Sequence, residues 1–211
     1  MSTLQQLSQD GLALVEAPGL SRRGFVRATL GTGFAAAVLP VCAQSVVKTP
    51  SDGLLAGEVS IPVEGFRLPA YRAQPEGARN CPVVLLVSEI FGVHAYIADV
   101  ARRLALQGYC AIAPELFVRQ GDAGAYGEIA KLMTEVIAKV PDAQVMGDLD
   151  ACVRWAGEQG MAVDRLGITG FCWGGRIVWL YAAHQVGLKA GVAWYGRVAG
   201  PASAQTPQQP I

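Results

Sequence analysis

The sequence predicts an α/β protein, with a mostly parallel sheet and helices on both faces. Two observations carry that prediction. Short apolar runs alternate with stretches whose apolar residues recur at helical spacing, the order expected of strands joined by crossover helices. The runs Pro82–Val87 and Tyr109–Ala113 are apolar throughout, like strands buried on both faces. Size and composition agree. The chain has 211 residues, 52% hydrophobic and 16% charged, enough for one sizeable core. Lys+Arg and Asp+Glu balance at 17 each, so charge gives no reason to expect nucleic acid or an anionic membrane surface as a partner. The five cysteines show no Cys-x-x-Cys spacing, and His94 and His184 are far apart, so neither a metal centre nor a cofactor is expected.

Residues 1–43 read as an export signal. Arg22-Arg23, with Phe25 close behind, precedes the weakly hydrophobic run Ala28 to Leu39. That arrangement resembles a twin-arginine signal, whose partner is the twin-arginine export machinery and whose destination is the periplasm. The run is too short to span a bilayer comfortably. Val41-Cys42-Ala43 fits the cleavage site, so the mature chain is expected to begin near Gln44. Lipidation at Cys42 is the weaker reading, because Val41 is larger than the residue that usually precedes a lipidated cysteine.

Residues 44–57 read as a linker, 58–200 as the domain and 201–211 as a Pro-, Ala- and Gln-rich tail. Within the domain, 58–63 and 66–71 alternate apolar and polar around Glu64-Gly65, a hairpin pattern. Strand 82–87 follows a polar loop, and 88–94 is a second loop. Residues 95–107 carry a helical stripe of Ile97, Val100 and Leu104, closed by Gly108. Strand 109–113 stops at Pro114. After a long connection come helix 125–140, with Ile129, Leu132, Met133, Val136 and Ile137 on one face, and helix 142–159, burying Val145, Leu149, Cys152, Val153 and Ala156. Strand 166–169, helix 174–184 and strand 188–195 complete the order. Cys81 and Cys110 open two neighbouring strands. A disulfide between them would be geometrically demanding, and the sequence leaves it open.

The chemistry-bearing stretch is Gly170-Phe171-Cys172-Trp173-Gly174-Gly175, between a strand and a helix. This is the layout of a nucleophile elbow carrying a thiol. A strand that turns at once into a helix crowds the positions two before and two after the nucleophile, and glycine removes the Cβ that would clash. The first helical N–H groups then face the sulfur and favour its thiolate.

Three blocks point to a family. Glu89-Ile90-Phe91-Gly92-Val93, Pro114-Glu115-Leu116-Phe117-Val118-Arg119-Gln120, and the cysteine elbow resemble the dienelactone hydrolase family in that order and separation. The resemblance runs from about Gly57 to about Gly196 and implies an α/β-hydrolase fold. It implies hydrolysis of a small-molecule lactone or ester, of the carboxymethylenebutenolidase type, through an acyl-enzyme. Carried over, Cys172 is the nucleophile, Ile90 and Trp173 supply the oxyanion N–H groups, Glu89 governs the thiol, and Arg119 holds a substrate carboxylate. The family's Asp and His lie on loops after later strands, beyond Ile211. The reading is therefore a fold whose last strands are missing, expected to be weak or inactive as it stands. Neither His94 nor His184 is expected to be the base. The alternative class is a catalytically incomplete fragment that binds a small carboxylate or lactone.

Overall fold

The computed structural model describes residues 48–198, 206–207 and 210–211. The twin-arginine segment, the cleavage site at 41–43 and most of the tail lie outside the described residues. Six strands form one sheet in the order β1-β2-β4-β3-β5-β6. They are β1 (Leu54–Val63), β2 (Phe66–Pro75), β3 (Pro82–Val87), β4 (Cys110–Pro114), β5 (Ala162–Phe171) and β6 (Leu188–Trp194). β4, β3, β5 and β6 run parallel, while β1 and β2 form an antiparallel hairpin that joins the sheet through β2 against β4. Gly65, with φ +67°, makes the turn of that hairpin. Both hairpin strands exceed their sequence pattern. Residues 54–57, expected as linker, are strand, paired from Leu54↔Pro75 onward. Main-chain pairing extends the ladder where side chains such as Leu55, 46% exposed, face water and show no alternation.

The described residues hold four α-helices: α1 (Ala95–Leu106), α2 (Ile129–Glu135), α3 (Asp142–Glu158) and α4 (Trp173–His184). α1 packs on one face of the sheet, and α3 and α4 on the other. Leu85, Val87, Ile112 and Ile168 meet Val145, Leu149, Ile177 and Tyr181 on the α3/α4 face. On the α1 face, Ala101 and Ala105 lie against Ala73, Ala111 and Ala113, small residues that let helix and sheet approach closely. The buried stripe of α1 is Ile97-Ala101-Ala105, with Val100 and Leu104 only at its flank. Asp99, also buried, takes hydrogen bonds from Thr49 N, Arg102 and Arg103.

The helix expected over 125–140 is broken. A 3₁₀ turn at Ala123–Ala125, α2, and a second 3₁₀ turn at Ile137–Lys139 replace it. Gly124 and Gly127 weaken its start, and Val136 (φ −119°, ψ −66°) interrupts its end. Leu132, Val136 and Ile137 are buried against Ile90 and Phe117, while Met133 is exposed. This small cluster seals the loop side of the sheet's carboxyl edge.

β3 is interior, with β4 on one side and β5 on the other, so the chain steps from β3 to β4 and then crosses back past β3 to β5. Loops beyond the carboxyl ends of such strands diverge and leave a crevice.

Candidate active site

Cys172 sits between β5 and α4 with φ +54° and ψ −112°, a backbone conformation that a side-chain-bearing residue adopts only under constraint. Its neighbours supply the constraint. A Cβ on Gly170 would lie 2.5 Å from the Gly174 carbonyl oxygen, and one on Gly174 would collide with the carbonyl oxygens of Val87 and Ser88. On the other side, the Cys172 amide donates to the Trp194 carbonyl at 2.9 Å. Gly175 and Gly196 pack backbone to backbone, so that a Cβ on Gly175 would stand 2.7 Å from the same Trp194 oxygen. The elbow is thus wedged between β3 and β6, and only glycine fits at each contact.

Val87 pairs with Gly170, so the two strands leave the sheet in step. The loop after β3 therefore carries Glu89 and Ile90 to the side of the elbow. Trp173 is the first residue of α4, which makes its amide one of the helix's orphan donors. Among the described residues neither the Ile90 nor the Trp173 amide meets a backbone carbonyl. Two such donors flanking the Cys172 elbow can stabilise an oxyanion.

Glu89 is mostly buried and faces His94, with Oε2 and Nε2 3.2 Å apart. His94 occupies the N-cap of α1, yet its side chain makes no capping bond there. Tyr195, which no motif singled out, also belongs to this edge. Burial and then the negative charges of Glu89 and Cys172 push its phenol up. It has φ +42°, and its ring is tilted by 43° against that of Phe171, with centroids 6.3 Å apart. Its signal in the sequence was its place, at the end of the strand read over 188–195, on the carboxyl edge.

A cleft of about 480 Å³ opens beside this edge, lined among others by Phe91, Val93, His94, Glu115, Phe117 and Asp122. Phe117 packs on Trp173 with centroids 4.7 Å apart, which joins the cleft wall to the elbow. Glu115 is fixed by the Val93 amide at 3.0 Å, and burial pushes its carboxyl up. Among the described residues no group of three His, Cys, Asp or Glu side chains could hold a metal ion.

Arg119 departs from expectation. Its Nη1 and Nη2 donate to Asp148 Oδ2 and Oδ1 at 2.7 and 2.5 Å, and its guanidinium lies 4.5 Å over the Phe66 ring. Asp148 is 1% exposed, so this is a buried fork-to-fork pin between the β4 loop and α3. A guanidinium so engaged is not open to a substrate carboxylate, and Arg119 does not line the cleft. His184 is engaged elsewhere as well, with Nε2 2.8 Å from Asp150.

Cys81, Cys110, Cys152 and Cys172 are all free thiols. Cys110 pairs in register with Val83, which leaves Cys81 two residues along the neighbouring strand. That offset separates the two Cα atoms by about 8 Å, beyond disulfide reach. Burial pushes the Cys110 thiol up to about 11 and Cys152 higher still, while Cys172 is the one partly exposed.

The sequence model of the dienelactone hydrolase family matches residues 68–211. A relative from Methylorubrum extorquens, named "Putative carboxymethylenebutenolidase", is 56% identical over 193 residues, 91% of this chain and 66% of the relative. One of the same name from Escherichia coli is 53% identical over 184 residues, 87% of this chain and 68% of the relative. This chain therefore spans about two thirds of the length of the relatives it matches. Among solved structures, a Klebsiella pneumoniae protein titled "Putative Dienelactone Hydrolase" superposes with a TM-score of 0.68 at 55% identity, covering 74% of this chain and 65% of that one. A dienelactone hydrolase-like phosphotriesterase from metagenomic libraries shares the fold at a TM-score of 0.61 and 23% identity, covering 72% and 64%.

Proposed function

Because this chain belongs to the dienelactone hydrolase family and has its α/β-hydrolase fold, we propose that it is a carboxylic ester hydrolase of the carboxymethylenebutenolidase type with Cys172 as nucleophile. The observation that carries the proposal is the strained backbone of Cys172, held at φ +54° by glycine contacts on both sides. Strain of about 1–3 kcal/mol at one residue persists where the surroundings impose it, and such sites cluster at nucleophiles and clamps.

In the proposed reaction the Cys172 thiolate attacks the carbonyl carbon of a small lactone or ester. A C–S bond forms, and the negative charge moves to the carbonyl oxygen, against the Ile90 and Trp173 amides. Collapse breaks the C–O bond and expels the alkoxide, which takes a proton from solvent; water then attacks the thioester carbonyl, the C–S bond breaks, and the carboxylic acid leaves as the Cys172 thiolate is restored. Each oxyanion donor contributes on the order of 3 kcal/mol in such sites. Glu89, on the loop that β3 carries to the side of the elbow, is the acidic neighbour assigned to the thiol. Arg119 is given no role toward substrate, since Asp148 occupies it. His184 is not assigned as base, because it closes α4 twelve residues beyond Cys172, about 18 Å along the helix, and His94 is given no base role, because its Nε2 is turned to Glu89. The proposal also includes export by the twin-arginine route, with a periplasmic site of action.

The test has two arms. Turnover of a chromogenic short-chain ester is expected for the wild type and lost in Cys172→Ala. Alkylation with iodoacetamide at pH 6–7, mapped by mass spectrometry, is expected to label Cys172 at least 10-fold faster than Cys152. Equal labelling would remove the activated nucleophile. Selective labelling without turnover would favour a catalytically incomplete binding protein. For export, paired Arg22→Lys and Arg23→Lys substitutions are expected to retain the protein in the cytoplasm.

A further inference from the structure

Glu115, the residue after β4, ties down the loop that carries Ile90. Its own backbone is fixed first, since the Glu115 amide donates to the Pro69 carbonyl of β2 at 2.9 Å. The carboxylate then reaches across to the loop after β3. Oε1 accepts from the Val93 amide at 3.0 Å. Oε2 lies against Gly92, where a Cβ would stand 2.8 Å away on a backbone with φ +76°. Glycine at this position lets the carboxylate close on the loop.

The loop has few other ties. Among the described residues no amide from Glu89 to Val93 donates to a backbone carbonyl. Ile90 therefore lies between two fixed points, Val87 in the ladder with Gly170 and Val93 on Glu115. Its side chain is 6% exposed and shares a cluster with Phe117, two residues beyond Glu115, and Phe117 packs on Trp173. The segment Glu115–Phe117 thus touches the surroundings of both residues assigned as oxyanion donors. Among the described residues Glu115 makes no ion pair, and the Val93 amide is its one hydrogen-bond donor. A half-buried carboxylate without a counter-ion is costly to keep, and burial pushes its carboxyl up while the Val93 bond pulls it down.

We propose that Glu115 is a positioning residue: by accepting the Val93 amide it holds the Ile90 amide, three residues earlier in the loop, where the oxyanion develops. The inference rests on the reading of Cys172 as nucleophile and Ile90 as donor. Without the acceptor the loop keeps its tie at Val87 and loses the one at Val93, and the Ile90 amide drifts from the developing charge. Misplacing a group by about 1 Å in such a site costs on the order of 100-fold in rate.

Two reagents at Cys172 of the full chain separate positioning from general support of the fold. p-Nitrophenyl acetate passes through the oxyanion: the thiolate attacks the acetyl carbonyl, a C–S bond forms, the C–O bond breaks and p-nitrophenolate leaves. Iodoacetamide does not: the thiolate attacks its CH₂ carbon, a C–S bond forms and iodide leaves, with no charge placed on a carbonyl oxygen. Both products are mapped by mass spectrometry. Glu115→Ala is expected to slow acylation by about 10–100-fold and to leave alkylation within about 2-fold. Glu115→Gln keeps an oxygen acceptor at the same reach and is expected to restore acylation to within about 3-fold of wild type. Gly92→Ala, whose Cβ would push the carboxylate off the loop, is expected to slow acylation selectively, and it carries the test if Glu115→Ala does not fold. Equal slowing of both reactions in Glu115→Ala, unchanged acylation in Glu115→Ala or Gly92→Ala, or a Glu115→Gln variant as slow as Glu115→Ala overturns the role of Glu115 and leaves the nucleophile reading standing. Wild-type labelling of Cys172 no faster than that of Cys152 by either reagent overturns both.

Discussion

The amide of Cys172 donates to the carbonyl of Trp194 at 2.9 Å, so the last described strand holds the elbow residue by its backbone. The bond is short because nothing intervenes. Gly175 and Gly196 bring the α4 and β6 backbones into direct contact at that point. The strain at Cys172 is thereby shared between β5, which delivers the residue, and β6, which pins it.

Gly175→Ala is expected to break that contact, because its Cβ would stand 2.7 Å from the Trp194 oxygen. A loss of about 1–3 kcal/mol in urea unfolding is expected, as for overpacked sites. Cys172 alkylation should slow at least 10-fold. Gly147→Ala is the contrast. It lies inside α3 with nothing within 4 Å of its Cβ position, and should stabilise by about 0.5–1 kcal/mol.

The Arg119–Asp148 pin makes a different prediction. Asp148→Ala strips both acceptor oxygens from the guanidinium in a mostly buried place, which should cost about 3–5 kcal/mol of unfolding free energy. Arg119→Lys keeps the charge and loses the two-pronged geometry. Its KM for a carboxylate-bearing ester should shift no more than its KM for a neutral one. A rise confined to the anionic ester would return Arg119 to a substrate role.

Burial pushes the Asp148 carboxyl up from 3.8 to about 6, against the pull of Arg119. Between about pH 4 and 6 the folded chain therefore keeps a proton that the unfolded chain has released. The stability owed to this group is full below about pH 4 and falls by roughly 3 kcal/mol as the pH rises to 6. Urea unfolding of the wild type across this range should show the decline. Asp148→Asn, having no proton to lose, should lack this component.

Cys81 and Cys110 should both be alkylated in denaturant without reductant, since their offset along neighbouring strands precludes a bridge. In the folded chain both should be protected, being 6% and 1% exposed. A mass lower by two hydrogens, mapped to a Cys81–Cys110 peptide pair, would contradict the strand register.

Much of this molecule was legible in its sequence. Pro82–Val87 was bounded to the residue, because Pro82 opens it and an uninterrupted apolar run has no alternative burial. The elbow was legible because its glycines answer a local steric demand that no distant residue can relieve. Local patterning failed where partners lay far along the chain. Leu54–Gly57 became strand by pairing with Arg72–Pro75, and helix 125–140 broke where burial against Ile90 and Phe117 outweighed helical period. Charged groups were the least legible. A guanidinium or a carboxylate reaches several ångströms, and its partner is whichever opposite charge the fold brings near. Arg119 took Asp148, 29 residues away, and Glu89 took His94 across the turn at Gly92. The sequence by itself determined the layers, the elbow and the edge at which the chemistry gathers, because strand burial and backbone sterics are local. Only the tertiary structure decided which charges meet, because ion pairing depends on through-space distance.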